Sequence, residues 1–273
     1  MQSSLTDPTL QPGALAALGL RDEKRRWARV QPLDLEYYAF TARGTDRHPN
    51  EDAWWIESNG GDNDDDSGIQ RFGVFDEISQ KIGVASGEVL RMAVQSVARE
   101  GTSLTERLAR ANRAIWEHLQ SRPVDAQPES QARAGVCAAL IEITPSRRLR
   151  WAALGDCSIV LLRRRWWARR DAAPSAKLIY GPAEHRAALE AAVGTAAVSR
   201  VDAGTLKLHR GDALLIGSDG AALNRMTHFV KTRQPWSGIR HNNNLQHAVE
   251  CHVAQVRLAQ KQLDDMTLLA VLV

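Results

Sequence analysis

From Glu36 onward, short apolar runs alternate with polar turns. The runs are divided by Gly- and Asp-rich turns, a pattern typical of β-strands. The predicted strands are YYAFTARG, DAWWIES, GIQRFGVFD, GVCAALIEIT, LRWAALGD, CSIVLLRR, KLIYG, TLKLHRG, DALLIGSDG and MTLLAVLV.

Helical periodicity occurs between these strands. Apolar residues return every three or four positions over Glu88–Glu100 and Leu104–Leu119, with Ser86 and Thr102 as candidate N-caps. Further helices are predicted over Glu184–Ala192, Leu223–Val230 and Leu245–Gln260.

Many short strands and few helices predict an α+β fold. We expect two packed antiparallel β-sheets flanked by helices, an α-β-β-α sandwich. Residues 35–273 would form this domain. Residues 1–34, which contain prolines and a charged patch, would form an N-terminal appendage with a short helix over Gly13–Trp27.

Composition excludes several classes of protein. The chain has 273 residues, 44% hydrophobic and 25% charged, and a net charge of +3, as in an ordinary globular protein. No apolar run approaches the roughly 20 residues of a membrane span, and the N-terminus lacks a secretory pattern. Three scattered cysteines (Cys137, Cys157 and Cys251) indicate buried thiols, so we expect a cytoplasmic protein without membrane contact.

Aspartates stand at the ends of four predicted strands. Asp52 begins one strand, Asp76 and Asp219 end two others, and Asp264 with Asp265 precedes the last. Any one of them could be an ordinary turn residue. If the four strand ends converge, however, their charges repel one another unless cations are bound. Oxygen ligands without histidine or cysteine favour Mg²⁺ or Mn²⁺ over zinc.

Five segments together resemble a known family. RGTDRHPNEDAWW, FGVFDEI, AALGDCSIVLLRR, GDALLIGSDG and DDMTLLAVLV occur in the order and spacing found in the metal-dependent PPM (type 2C) serine/threonine protein phosphatases, as in a divergent bacterial-type member. The resemblance covers residues 36–273. Each segment alone is weak evidence, whereas five in the right order are fairly specific.

The resemblance implies a set of metal ligands. Asp76 matches the aspartate that bridges two metal ions in the family. Glu51 and Asp52 match the acidic pair that holds metal or metal-bound water, and Asp219 and Asp264 match the remaining ligands of the first ion. Two or more Mn²⁺ or Mg²⁺ ions would activate water for direct attack on phosphorus.

Other matched positions have different implied roles. Arg47 matches the arginine that binds the substrate phosphate, so Arg47 and Asp76 are the catalytic candidates. Asp156 matches an aspartate of accessory or structural role. Glu77 stands where the family has a glycine whose carbonyl binds the second ion, so its carbonyl or its carboxylate is a candidate ligand. A histidine proposed as general acid in some members is absent at Ile78 or Ser79.

These implications predict an enzyme and leave two alternatives open. The prediction is a phosphatase that hydrolyses phosphoserine or phosphothreonine on proteins and opposes a serine/threonine kinase, which makes a kinase or its target the expected partner. The first alternative is a weak or inactive module that binds a phosphorylated partner or regulates a kinase. The second, which we favour least, is a nucleic-acid binder acting through the basic and aromatic run Arg163–Arg170.

Overall fold

The computed structural model describes residues 21–30, 35–45, 49–58, 68–78, 87–99, 103–121, 134–163, 174–182, 192–197, 199–223, 242–259 and 264–273. Over these ranges the chain forms two β-sheets with helices outside them. The strands are β1 (Arg21–Val30), β2 (Leu35–Arg43), β3 (Asp52–Ser58), β4 (Gln70–Ile78), β5 (Gly135–Ile143), β6 (Arg148–Leu154), β7 (Ser158–Arg163), β8 (Ser175–Tyr180), β9 (Asp202–Lys207), β10 (Ala213–Gly217) and β11 (Met266–Leu272).

Both sheets are antiparallel throughout the described residues. Sheet A has the strand order β1-β2-β11-β10-β7-β8, and sheet B has the order β3-β4-β5-β6-β9. The C-terminal strand β11 therefore lies in the middle of sheet A, paired with β2 and β10, which explains its unbroken apolar sequence.

The helices are α1 (Glu88–Ala98), α2 (Leu104–Gln120) and α3 (Asn242–Ala259). Three apolar cores follow from this arrangement. One lies between the two sheets, one lies between sheet A and α3, and one lies between sheet B and the α1–α2 pair. The predicted α-β-β-α sandwich is confirmed.

The predicted helix caps are each wrong by one residue. Ser103, not Thr102, caps α2, because its hydroxyl accepts from the Glu106 backbone N–H while the Glu106 carboxylate accepts from the Ser103 N–H. Gly87 precedes α1 with a left-handed φ of 78° and has no side chain to cap with.

β1 corrects the predicted N-terminal helix. Over residues 21–27 the chain is an edge strand, not a helix, paired antiparallel with β2. Its arginines make contacts on both faces of the strand. Arg26 lies over the Trp54 ring on one face, and Arg25 donates a hydrogen bond to Glu250 of α3 on the other. Tertiary pairing here overrides local helical preference. The boundary between an appendage and the domain at residues 34 and 35 stays a prediction.

A buried ion network attaches α2 to sheet B. Arg107 of α2 is 1% exposed and donates to Glu57 of β3 at 3.0 Å and to the Val97 carbonyl of α1 at 2.7 Å. Arg71 of β4 then joins Glu57 to Glu142 of β5. The network fixes the helix pair over the outer face of sheet B.

Some sequence predictions fall outside the described residues. The helices predicted over Glu184–Ala192 and Leu223–Val230 do so except for their terminal residues Ala192 and Leu223. The helix predicted over Leu245–Gln260 is confirmed as α3. None of the helices that the structure describes is long and apolar enough to cross a membrane.

Candidate active site

Two aspartates of sheet B stand directly opposite each other. In the β3–β4 pair, Asp52 is the cross-strand partner of Asp76. Side chains alternate along a strand, so Asp76 shares the face of Val74, which lies in the core between the sheets. Like charges in directly opposed positions destabilise a sheet. This pair therefore has a cost that a bound cation would offset.

Sheet A reaches the same place from the other side. Ser218 follows β10, and its hydroxyl donates to the Asp52 carboxylate at 2.6 Å. That hydroxyl also accepts from the Thr267 backbone N–H of β11 at 3.0 Å. Asp219, the next residue, begins a short 3-10 turn, Asp219–Ala221. Ser218 thus connects the two sheets at the end where the aspartates lie.

Burial and mutual repulsion raise the pKa values of these aspartates. Burial raises the pKa of Asp76 well above its ordinary range, and the charges of Asp52 and Asp219 raise it further. Burial likewise raises the pKa of Asp52, which the hydrogen bond from Ser218 partly opposes. Burial, together with the nearby Asp264 and Asp156 charges, raises the pKa of Asp219 to about 6. The three carboxyls therefore interact strongly with one another.

The pair at the start of β11 contributes in two ways. Asp264 is exposed, and its charge raises the pKa of both Asp219 and Asp76. Asp265 accepts from the backbone N–H groups of Gly44 at 2.7 Å and Glu51 at 2.6 Å. Asp265 was not predicted as a site residue, although it adjoins Asp264; its carboxylate connects the start of β11 to the segments that follow β2 and precede β3.

Glu51 lies at this connection. Its N–H binds Asp265, and its carbonyl accepts from the Glu77 N–H at 2.9 Å. Its charge contributes to the raised pKa of both Asp265 and Glu77. Glu51 is therefore adjacent to the grouped aspartates.

Asp156 belongs to the same acidic group. Its charge raises the pKa of Asp76 and Asp219, and it is hydrogen-bonded to Cys137, the cross-strand neighbour of Asp76. Its Oδ1 atom is buried and has no hydrogen-bond partner in the described part of the chain. A buried acceptor of this kind is a free oxygen donor for a cation.

The Glu77 side chain points the other way. As the residue after Asp76, it faces the α1–α2 side of sheet B, where its carboxylate accepts from the Leu90 N–H of α1 at 3.3 Å. Burial raises the pKa of Glu77 to about 7, while hydrogen bonds from the first turn of α1 oppose the rise. Glu77 thus supplies the N-terminal cap that Gly87 cannot, and its side chain is not among the grouped carboxylates.

The donor set fits a hard divalent cation in chemistry and charge. Aspartates of both sheets lie close enough for their charges to raise the pKa values of Asp52, Asp76 and Asp219, and carboxylates are the ligands that Mg²⁺ and Mn²⁺ prefer. Within the described ranges, no three acidic, histidine or cysteine side chains already surround one point. Binding would therefore require side-chain rotations that bring the oxygens together.

Two predicted features lie wholly or partly outside the described residues. Arg47 is one, so its place relative to the aspartates stays a prediction. Of the basic run Arg163–Arg170, only Arg163 is described, and its guanidinium forms a two-point ion pair with Asp212 at 2.7–3.1 Å. The Arg163 side chain therefore forms an ion pair within the protein.

Comparison with protein families decides the assignment. The family model of stage II sporulation protein E (SpoIIE) matches residues 84–273, which is most of the chain. This chain belongs to the SpoIIE family. The SpoIIE domain is a PPM-type phosphatase domain, so the resemblance read from the sequence is confirmed. A search of curated proteins found no match.

Solved structures give this SpoIIE-family chain the same fold. RsbX, solved in complex with magnesium, has a TM-score of 0.61 at 11% identity, covering 91% of this chain and 99% of RsbX. The serine/threonine phosphatase Stp1 from Staphylococcus aureus has a TM-score of 0.64 at 15% identity, covering 88% and 95%. The Mycobacterium tuberculosis serine/threonine phosphatase PstP/Ppp has a TM-score of 0.58 at 16% identity, covering 88% and 98%. At these identities the likeness concerns the fold.

Proposed function

We propose that this protein hydrolyses phosphoserine or phosphothreonine on proteins and depends on two or more Mn²⁺ or Mg²⁺ ions. The observation that carries the proposal is the meeting of three mutually repelling aspartates from two sheets, the buried Asp52, the half-buried Asp76, and Asp219, in a chain of the SpoIIE family. Clustered acids have no advantage for stability alone, because the repulsion between their ionised forms is costly without a cation.

Each residue has a distinct proposed role. Asp76 would be shared between two ions, with Asp52, Asp219 and Asp264 as further ligands and Glu51 beside them. Glu77 keeps a candidate role only through its backbone carbonyl, because its carboxylate caps α1. When bound, the ions supply an acidified water and positive charge opposite the phosphoryl oxygens. Arg47 would bind the phosphate through its paired N–H donors.

The partner proposed for this site is a phosphorylated protein. A serine/threonine kinase or its target fits best, since a phosphoserine phosphatase opposes such a kinase. PppA, a structural neighbour from Pseudomonas aeruginosa, is described as a key regulatory component of the type VI secretion system, which supports a regulatory role for this fold.

The test is hydrolysis by the full chain with and without metal. We expect Mn²⁺- or Mg²⁺-dependent release of phosphate from phosphoserine or phosphothreonine peptides and of p-nitrophenol from p-nitrophenyl phosphate. Asp76→Asn and Asp219→Asn should abolish it. Asp202→Asn, which changes an exposed aspartate on β9, should leave it intact.

Absence of hydrolysis would favour a second candidate function, the binding of a phosphorylated partner. The replacement of the family glycine by Glu77, engaged with α1, favours a module that binds a phosphorylated partner without turning it over. Absence of turnover with every divalent ion, together with no metal bound in equilibrium dialysis, would reject the phosphatase and support that module.

A further inference from the structure

The turn that carries Asp219 is held from the side of β11. Ala222 ends the Asp219–Ala221 turn in a left-handed conformation, with φ 51° and ψ 35°. Gly220 lies so close to β11 that a Cβ at this position would overlap the carbonyl oxygen of Asp265. The Asp219 carboxylate thus projects from a tightly confined piece of backbone.

The same turn is held from the side of α3. His252 is fully buried, and its Nε2 atom lies 2.9 Å from the carbonyl oxygen of Ala221. Because a carbonyl can only accept, Nε2 carries the proton and donates it. Burial lowers the pKa of His252, which favours the neutral ring with this tautomer.

α3 also approaches Asp264 and Asp265, the acidic pair before β11. Arg257 is 5% exposed, and its three nitrogens have no hydrogen-bond acceptor among the described residues. Burial lowers the pKa of Arg257, while the charges of Asp265 and Asp264 act in the opposite direction. The helix therefore lies near both acidic segments at this end of sheet A, near Asp219 through His252 and near Asp264–Asp265 through Arg257.

We infer that His252 is a positioning residue for the carboxylate site, because it fixes the backbone of the Asp219 turn from α3. It does not touch the reacting atoms; it acts through Ala221, two residues after Asp219. In metal sites, groups that orient the ligands typically change metal affinity by about 10–100-fold when removed. The inference rests on the proposed function, since it assigns His252 a role in cation binding.

Two substitutions of His252 test whether the hydrogen bond to the Ala221 carbonyl matters, or only the presence of a polar side chain. His252→Gln places an amide nitrogen near the position of Nε2 and keeps a donor for Ala221. His252→Asn is shorter, places its nitrogen near Nδ1 and cannot reach. We expect His252→Asn to bind Mn²⁺ about 10-fold more weakly, with a matching rise in the Mn²⁺ concentration for half-maximal hydrolysis, and His252→Gln to resemble the wild type.

A neighbouring position provides the control for general loosening of the helix. Val253→Ala removes buried contacts of α3 with sheet A but no hydrogen bond to the turn. Affinity is measured by isothermal titration calorimetry of the full chain, at a temperature where circular dichroism shows every variant folded. Val253→Ala should lower the melting temperature without weakening Mn²⁺ binding.

The outcomes distinguish the inference from the proposed function. If the wild type binds and uses Mn²⁺ but His252→Asn binds it equally well, the positioning role is wrong. Weak binding by His252→Gln, or equal weakening by Val253→Ala, contradicts it as well. If the wild type binds no Mn²⁺ at all, the proposed function fails and this inference fails with it.

Discussion

Adjacent residues at the end of β4 perform different tasks because a strand alternates its faces. Asp76 enters the space between the sheets, while Glu77 reaches the first turn of α1. The sequence alone predicts both Asp76 and Glu77 as candidate ligands. Applying the two-residue period to Phe72, Val74 and Asp76 would have separated them, because these alternate residues share one face.

The raised pKa of Glu77 makes its ionised form a cost to folding. Its folded pKa of about 7 exceeds its ordinary value of 4.5, so stability is lost as pH rises between these values and stays lost above them. Glu77→Gln keeps an acceptor for Leu90 and removes the charge. We expect it to raise the free energy of unfolding by roughly 1–3 kcal/mol at pH 8, an advantage that disappears toward pH 4.5.

Urea unfolding followed by circular dichroism at several pH values measures this difference. Glu117→Gln, at an exposed position of α2, is the matched control and should change little at any pH. Mn²⁺ affinity should be unchanged in Glu77→Gln. A fall in that affinity would instead make the Glu77 carboxylate a ligand.

At the scale of elements, α2 depends on one arginine. Arg107 neutralises Glu57 beneath the helix and donates to the last turn of α1, and it also lies over the Trp55 ring. Arg107→Met would leave Glu57 and the Val97 carbonyl without this donor. Glu57 keeps its ion pair with Arg71, so the cost is that of lost hydrogen bonds to partly buried acceptors, and we expect a loss of about 1–3 kcal/mol in urea unfolding.

Arg113→Met provides the comparison, because Arg113 is exposed on the same helix. It should shift stability by no more than about 0.5 kcal/mol. Equal losses in the two variants would show that the buried network does not hold the helix pair.

The prediction of helices and strands succeeded where the hydrophobic pattern was strong. It failed where pairing between strands determined the structure. α2 could be predicted because its apolar residues repeat with a helical period, and β11 because its sequence is an unbroken apolar run. Arg21–Trp27 has no such period and is predicted as the end of a helix, yet Arg21–Val30 forms eight register pairs with β2. Contacts such as Ser218 to Asp52, 166 residues apart, depend on sheet packing that no local pattern encodes.

At the scale of the whole molecule, the proposed ligands come from both layers of the sandwich. A cation held by Asp52 and Asp76 of sheet B and Asp219 and Asp264 of sheet A would link the sheets. We therefore expect Mn²⁺ to stabilise the wild type by about 2.7 kcal/mol at 100 times its dissociation constant. Asp76→Asn should gain much less.

Thermal unfolding with EDTA and with increasing Mn²⁺ measures this linkage. Na⁺ at the same ionic strength serves as the control for nonspecific charge screening. A Mn²⁺ effect of equal size in the wild type and in Asp76→Asn would place the bound ion away from the aspartates.

The close approach of Gly220 to β11 has a consequence for how this chain can vary. Any side chain at position 220 would displace the backbone of Asp265, whose carboxylate connects Gly44 and Glu51, and would move Asp219 beside it. We therefore expect related sequences to keep glycine at this position. A substitution of Gly220 would be tolerated only together with changes that move the backbone at the start of β11.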